Sequence, residues 1–178
     1  MNKQRIAKLA LLALVATAGT AHADLATSTF KVTMKITKTC AVTTAAPDID
    51  LGSVAATAAA VDQTGNASFK VNCSKTTPFY IGLAPSAANG GTNNGTGNMK
   101  GAIAANNDLV PYTLYSNAGM TTVWGNTATA SAVGNGMSGT GDGMAAGKAV
   151  QFTAYAKATN ADFTPDTYVD TVTINVNY

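Results

Sequence analysis

Apolar and polar residues alternate along most of this chain. Phe30, Val32, Met34 and Ile36 alternate with Thr29, Lys31, Thr33 and Lys35. Ala67, Phe69, Val71 and Cys73 alternate with Ser68, Lys70 and Asn72. Phe79, Ile81 and Leu83 follow Pro78, and Val110, Tyr112 and Leu114 form a further run, with Val123 and Trp124 soon after. Val150, Phe152, Ala154 and Ala156 oppose Gln151, Thr153, Tyr155 and Lys157. Val172, Ile174, Val176 and Tyr178 oppose Thr171, Thr173, Asn175 and Asn177. A period of two puts one set of side chains on each face of a strand. No window carries sustained helical spacing with caps. Six or more short strands, each with one apolar face, predict an all-β protein of two packed antiparallel sheets, a sandwich.

The connections are polar and rich in glycine. Asn89 to Gly101 (NGGTNNGTGNMKG) and Gly134 to Gly147 (GNGMSGTGDGMAAG) read as surface loops of low complexity, not as core. Ala45 to Val61 is rich in alanine and holds Ile49-Asp50-Leu51-Gly52, a candidate short edge strand. No repeat and no linker divides the chain, so one domain is expected.

The first 23 residues depart from this pattern. Lys3, Arg5 and Lys8 precede an apolar run from Leu9 to Ala16, and Ala21-His22-Ala23 has the small-residue form of a cleavage site. The run is too short to cross a bilayer, so residues 1–23 read as a secretory signal peptide. Its removal from 178 residues leaves 155, starting at Asp24, with no further run long enough for a membrane span. The formal charge of +2 then changes sign, because the remainder carries eight Lys against nine Asp. It has no Arg, no Glu and no His. Nucleic acid is excluded as a partner, since phosphate binding needs a basic face.

The same composition removes most catalytic chemistry, so no enzyme and no cofactor are expected. Without His, neither Ser-His-Asp nor Cys-His systems can form, and two cysteines alone cannot complete a zinc site. Ser28-Thr29-Phe30-Lys31 matches S-x-x-K in form, but in an alternating strand Ser28 and Lys31 face opposite ways. Asp166 and Asp170 read as turn and strand-entry residues. Gly139 to Gly143 is a single Gly/Asp stretch without repetition, a flexible loop. Asn66, Asn72 and Asn94 stand in N-x-[ST] triplets. Trp124, Tyr112, Tyr115 and Tyr168 are either a sugar platform or ordinary sheet packing. Export also sets the reading of Cys40 and Cys73, the sole cysteines. Free buried thiols or a redox pair are the alternatives, but a redox pair is normally C-x-x-C. In an oxidising compartment these two are expected to bond, closing a loop worth about 3–4 kcal/mol.

The segment after the cleavage site, Leu25 to Ile36, alternates well and precedes Cys40. A cysteine soon after such an arm, a second ending the next strand, Tyr112-Thr113-Leu114-Tyr115 leading to Val123-Trp124-Gly125, and the close from Thr167 to Tyr178 (TYVDTVTINVNY) carry a resemblance. Over essentially all of residues 24–178 the chain resembles the archaic chaperone–usher pilins, grouped with spore coat protein U domains. The resemblance implies an incomplete immunoglobulin-like sandwich lacking its last strand, with an N-terminal donor-strand arm. It implies an arm at residues 24–36 and a sandwich domain at 37–178. Phe30, Val32 and Met34 become candidate donor residues, and Val172, Ile174, Val176 and Tyr178 candidate residues of the acceptor groove and C-terminal strand. The implied partners are other copies or related pilins, a periplasmic chaperone and an outer-membrane usher. The implied product is a surface pilus for attachment and biofilm formation, reached through the periplasm. Two other readings stand beside it: a secreted monomeric carbohydrate-binding sandwich, and a minor or tip subunit of a pilus.

Overall fold

The computed structural model describes residues 24–178, so the signal-peptide reading of residues 1–23 lies outside the described residues. Ile36–Tyr178 is one compact unit. Its strands in chain order are β1 (Cys40–Thr44), β2 (Gln63–Cys73), β3 (Pro78–Pro85), β4 (Thr96–Gly101), β5 (Leu109–Tyr115), β6 (Met137–Thr140), β7 (Val150–Ala158), β8 (Tyr168–Val169) and β9 (Val172–Asn177). Two short 3-10 turns, Ala87–Asn89 and Ala146–Lys148, are the only helical elements among the described residues. A six-stranded sheet runs β1-β2-β7-β5-β4-β8, and a three-stranded sheet runs β6-β3-β9. Every pairing is antiparallel. The all-β sandwich expected from the alternation is the observed architecture.

Its core is built from the inward-facing positions of that alternation. Phe69 and Val71 of β2, Phe79, Ile81 and Leu83 of β3, Leu114 of β5 and Phe152 of β7 are all buried. Trp124 lies among them, with Phe69 and Phe152 ring centroids 6.1 and 6.3 Å away. Its indole Nε1 donates to the Ile81 carbonyl at 2.9 Å, which satisfies its one polar atom inside the core. Asn72 is also fully buried. It accepts from Thr43 Oγ1 at 2.6 Å and donates to the carbonyls of Gly143 and Ala145. That amide joins β1, β2 and the loop before β7, and its burial leaves it unavailable as a glycan acceptor.

Three expectations are corrected. Leu25 to Ile36 alternate as a strand would, yet no strand forms there, and the side chains of Leu25, Phe30, Val32, Met34 and Ile36 are exposed. Alternation specifies a face, but a strand also needs a neighbouring edge to hydrogen-bond. Ile49 to Gly52 is likewise not a strand, although Ile49 and Leu51 pack against the core. The glycine-rich stretches are not simply loops, because they contain β4 and β6. Gly97 of β4 faces Tyr112, and Gly139 of β6 faces Phe79, so closely that a Cβ at either place would collide with the ring. Glycine there makes room for a core aromatic on the neighbouring strand.

Candidate functional site: an open flank of the sandwich

Cys40 and Cys73 are directly opposite in the β1–β2 ladder and form the disulfide. The bond holds β1, one of the two edge strands of the larger sheet, onto β2. Ser74 and Thr39 continue the attachment, with Ser74 N–H donating to the Thr39 carbonyl at 2.9 Å and Thr39 N–H donating to Ser74 Oγ at 3.0 Å. The edge of β1 that faces away from β2 has no partner strand among the described residues.

β9 is the corresponding edge of the smaller sheet, paired with β3 alone. Burial falls off in the same way at both edges. Val71 on β2 is 0% exposed, while its cross-strand partner Val42 on β1 is 42% exposed. Ile81 and Leu83 on β3 are 0% and 2% exposed. Their partners Val176 and Ile174 on β9 are only half-buried, and so is Val172 opposite buried Pro85. All of these lie on core-facing positions. The strands β1 and β9 come within 8 Å of each other between Cα atoms. The core is therefore sealed at its centre and uncovered along one flank, bounded by two unpaired strand edges. A flank of this kind accepts an extended segment: backbone groups on the edges for its main chain, apolar walls for alternate side chains.

Ala46, Ile49 and Leu51 also pack against the core as half-buried apolar side chains. A cleft of about 630 Å³ opens at Ile49 and Leu51 and is walled by Met99, Val110, Phe163 and Tyr168. Lys38 Nζ sits 5.9 Å from the ring centre of Tyr178. The β1 side of the flank, Val42 above all, was not among the residues expected from sequence. The signal was present, since Cys40 and Val42 alternate with Ala41 and Thr43.

β9 is positioned by a polar anchor at its start. Asp170 accepts from the Tyr112 hydroxyl at 2.6 Å and from Asn89 Nδ2 at 2.7 Å. Burial, and behind it the neighbouring Asp170 carboxylate, push the Tyr112 hydroxyl far above the ordinary tyrosine range. Asp166 accepts from Asn106 Nδ2 at 2.9 Å and from the Ile103 N–H at 3.0 Å, and these bonds hold its carboxyl below the usual range. Both aspartates act as the turn and strand-entry residues they were read to be.

The four aromatics considered as a sugar platform are not brought together. Trp124 is 1% exposed, Tyr112 is buried on Asp170, and Tyr168 bonds the Thr164 carbonyl and Asn106. Tyr115 alone faces outward. Asp142 at the Gly/Asp stretch pairs with Lys148 at 2.7 Å. Among the described residues no group of His, Cys, Asp or Glu is placed to hold a metal, and no helix is long and apolar enough to cross a membrane.

None of the curated proteins matches the chain by sequence. Among solved structures, the fold is similar to a chain of the CsuC–CsuE chaperone–tip adhesion subunit pre-assembly complex, from archaic chaperone–usher Csu pili of Acinetobacter baumannii. That similarity has a TM-score of 0.51 at 19% identity, covering 80% of this chain and 40% of that one. It shows a shared fold, consistent with an immunoglobulin-like sandwich, and this chain spans less than half the length of its structural relative. The Spore Coat Protein U domain matches residues 26–175, almost the whole of what the structure describes, and the chain belongs to that family.

Proposed function

We propose that this protein is a structural subunit of a secreted adhesive pilus, assembled head to tail by donor-strand complementation. The observation that carries the proposal is the uncovered flank between β9 and β1. A sandwich that leaves core side chains open between two strand edges lacks one strand, and another chain can supply it. Residues 24–36 are the donor arm and residues 37–178 the acceptor domain. Phe30, Val32 and Met34 fill the flank of the next copy, lining up against Val172, Ile174 and Val176, with Tyr178 at the end of the groove. The exposure of the three donor side chains supports this assignment. Burying them is worth about 5–8 kcal/mol per junction, with ladder hydrogen bonds added. One head-to-tail contact repeated without closure makes an open filament.

Before assembly the flank needs a temporary occupant. A periplasmic chaperone supplies that strand, as the chaperone partner in the similar complex suggests, and an outer-membrane usher passes the subunit on. The product is a surface pilus serving attachment and biofilm formation, and the chain's role is structural, not enzymatic. Removing residues 24–36 tests the reading. The shortened subunit is expected to fold and bind its chaperone but not to extend a filament, as seen by negative-stain microscopy of cells. Long filaments built from the shortened chain alone would overturn it.

A further inference from the structure

We propose that the outer face of the six-stranded sheet is a binding site for a neutral, flat polysaccharide chain, centred on Tyr115 and Tyr155. The two residues are directly opposite each other on β5 and β7. Both point away from the core, since their neighbours Leu114, Ala154 and Ala156 point into it. Asn66 stands opposite Tyr155 on β2, and Val123 bridges Tyr115 on the other side. One row across four segments therefore reads Asn66, Tyr155, Tyr115, Val123. The next row reads Thr64, Lys157, Thr113, Thr96. The row on the other side has Ser68 and Thr153, whose hydroxyls bond each other at 2.8 Å.

Three features fit this face to a sugar chain. First, the Tyr112 hydroxyl is tied to Asp170 and the Tyr168 hydroxyl to Thr164, whereas those of Tyr115 and Tyr155 have no hydrogen-bond partner among the described residues. Tyrosine offers an apolar ring for the C–H face of a pyranose and a hydroxyl for its rim. Second, β5 and β7 part beyond Thr113 and Lys157, leaving a depression of about 310 Å³ lined by Thr96, Asn98, Thr113, Tyr115, Lys157 and Thr159. It offers side-chain amide and hydroxyl groups beside the rings, the usual mix of apolar floor and a few orienting polar groups. Third, the three rows contain one charge, Lys157, and Asp62 neutralises it at 2.7 Å. An uncharged face selects neutral sugars over uronic or sialic acids. Adjacent strands are about 4.8 Å apart, so the tyrosines follow one another at roughly the pitch of consecutive pyranose units in a flat β-1,4 chain. This face is on the side of the sheet away from the open flank, so the site does not depend on the donor-strand reading.

The test uses the full chain as purified from the cell, so that it does not presuppose assembly. Binding to cellohexaose is measured by calorimetry, with a hexamer of galacturonic acid as the anionic control. Wild-type protein is expected to bind the neutral hexamer and not the anionic one. Tyr115→Ala with Tyr155→Ala should lower the affinity by about tenfold or more, and Tyr155→Phe should retain most of it. Fluorescence of buried Trp124 reports whether each variant is folded. Should the double variant lose that signal, Asn66→Lys, an exposed change that adds an unpaired charge to the face, must weaken binding instead. Failure of the wild-type protein to bind cellohexaose, preference for the anionic hexamer, or undiminished binding by a folded double variant would each overturn the proposal.

Discussion

Tyr112 shows how one residue couples the core to the strand that borders the open flank. Its ring covers Gly97 of β4, and its hydroxyl bonds Asp170 just before β9. Its folded-state titration is raised, so the stabilisation it contributes is complete below pH ~10, where an unfolded tyrosine begins to ionise, and is lost as pH rises beyond that. Urea midpoints are expected to fall above pH ~10, and to fall less in Tyr112→Phe. Asp166 has the opposite sign. Its lowered titration adds stability above pH ~4 that disappears on acidification, and Asp166→Asn should flatten the acid limb of the same curve. Gly97→Ala adds a methyl group where the Tyr112 ring already sits, with an expected cost of about 1–3 kcal/mol. A Gly97→Ala protein as stable as wild type in urea would show that the ring has somewhere else to go. Reading the sequence alone, this glycine belonged to a low-complexity loop. Nothing local marks it as the partner of a tyrosine 15 positions on, because the pairing exists only in the ladder between Gly97 and Tyr112.

At the scale of elements, β1 and β9 each pair on one side only among the described residues, and the proposed donor arm is the segment that would fill the place between them. The disulfide keeps β1 on the sheet, and opening its loop costs about 3–4 kcal/mol on chain-entropy grounds. Mass spectrometry of the native protein should show two hydrogens fewer than the reduced form, and Cys40→Ser with Cys73→Ser should lower stability by that amount. The arm's alternation specifies which of its faces enters a groove. Val32→Asp is expected to abolish or greatly weaken exchange of a synthetic arm peptide into chaperone-bound subunit, while Thr33→Asp leaves it nearly unchanged. Phe30→Ala should weaken the junction by about 3–5 kcal/mol. Reversed behaviour of the two aspartate variants would place the register one residue away. On the acceptor side, Ile174→Asp should block exchange even with the wild-type peptide, since a half-buried apolar wall would then carry a charge.

For the whole molecule, an uncovered flank makes stability depend on what fills it. On the donor-strand proposal, a peptide spanning residues 24–36 is expected to bind the folded sandwich and not the unfolded chain. At a hundredfold excess over its dissociation constant it should therefore add about 2.7 kcal/mol. The expected readout is a thermal midpoint that climbs with peptide concentration. A midpoint indifferent to saturating peptide would mean that the flank is not an acceptor.

Period-two alternation determined the sandwich, because a strand with one apolar face must bury it against another sheet wherever that sheet comes from in the chain. The disulfide was legible because the sequence holds two cysteines, so each thiol has one possible partner. The candidate β9 residues were legible for the same reason as the core: Val172, Ile174 and Val176 alternate like any inward face. Their half-buried state was not legible. It depends on β9 being an edge strand with no neighbour beyond it, and strand order is a property of the assembled sheets. Val42 is similar, as its residue type is that of a core valine and only its place beside the gap leaves it 42% exposed. In sequence, Trp124 and Tyr115 read alike, as sheet-packing aromatics or as part of a sugar platform. The fold sent one into the core, under Ile81, and the other to the outer face beside Tyr155. Local pattern decides which side chains share a face. Only tertiary pairing decides which faces are covered, and the functions proposed for this molecule lie on the faces that are not.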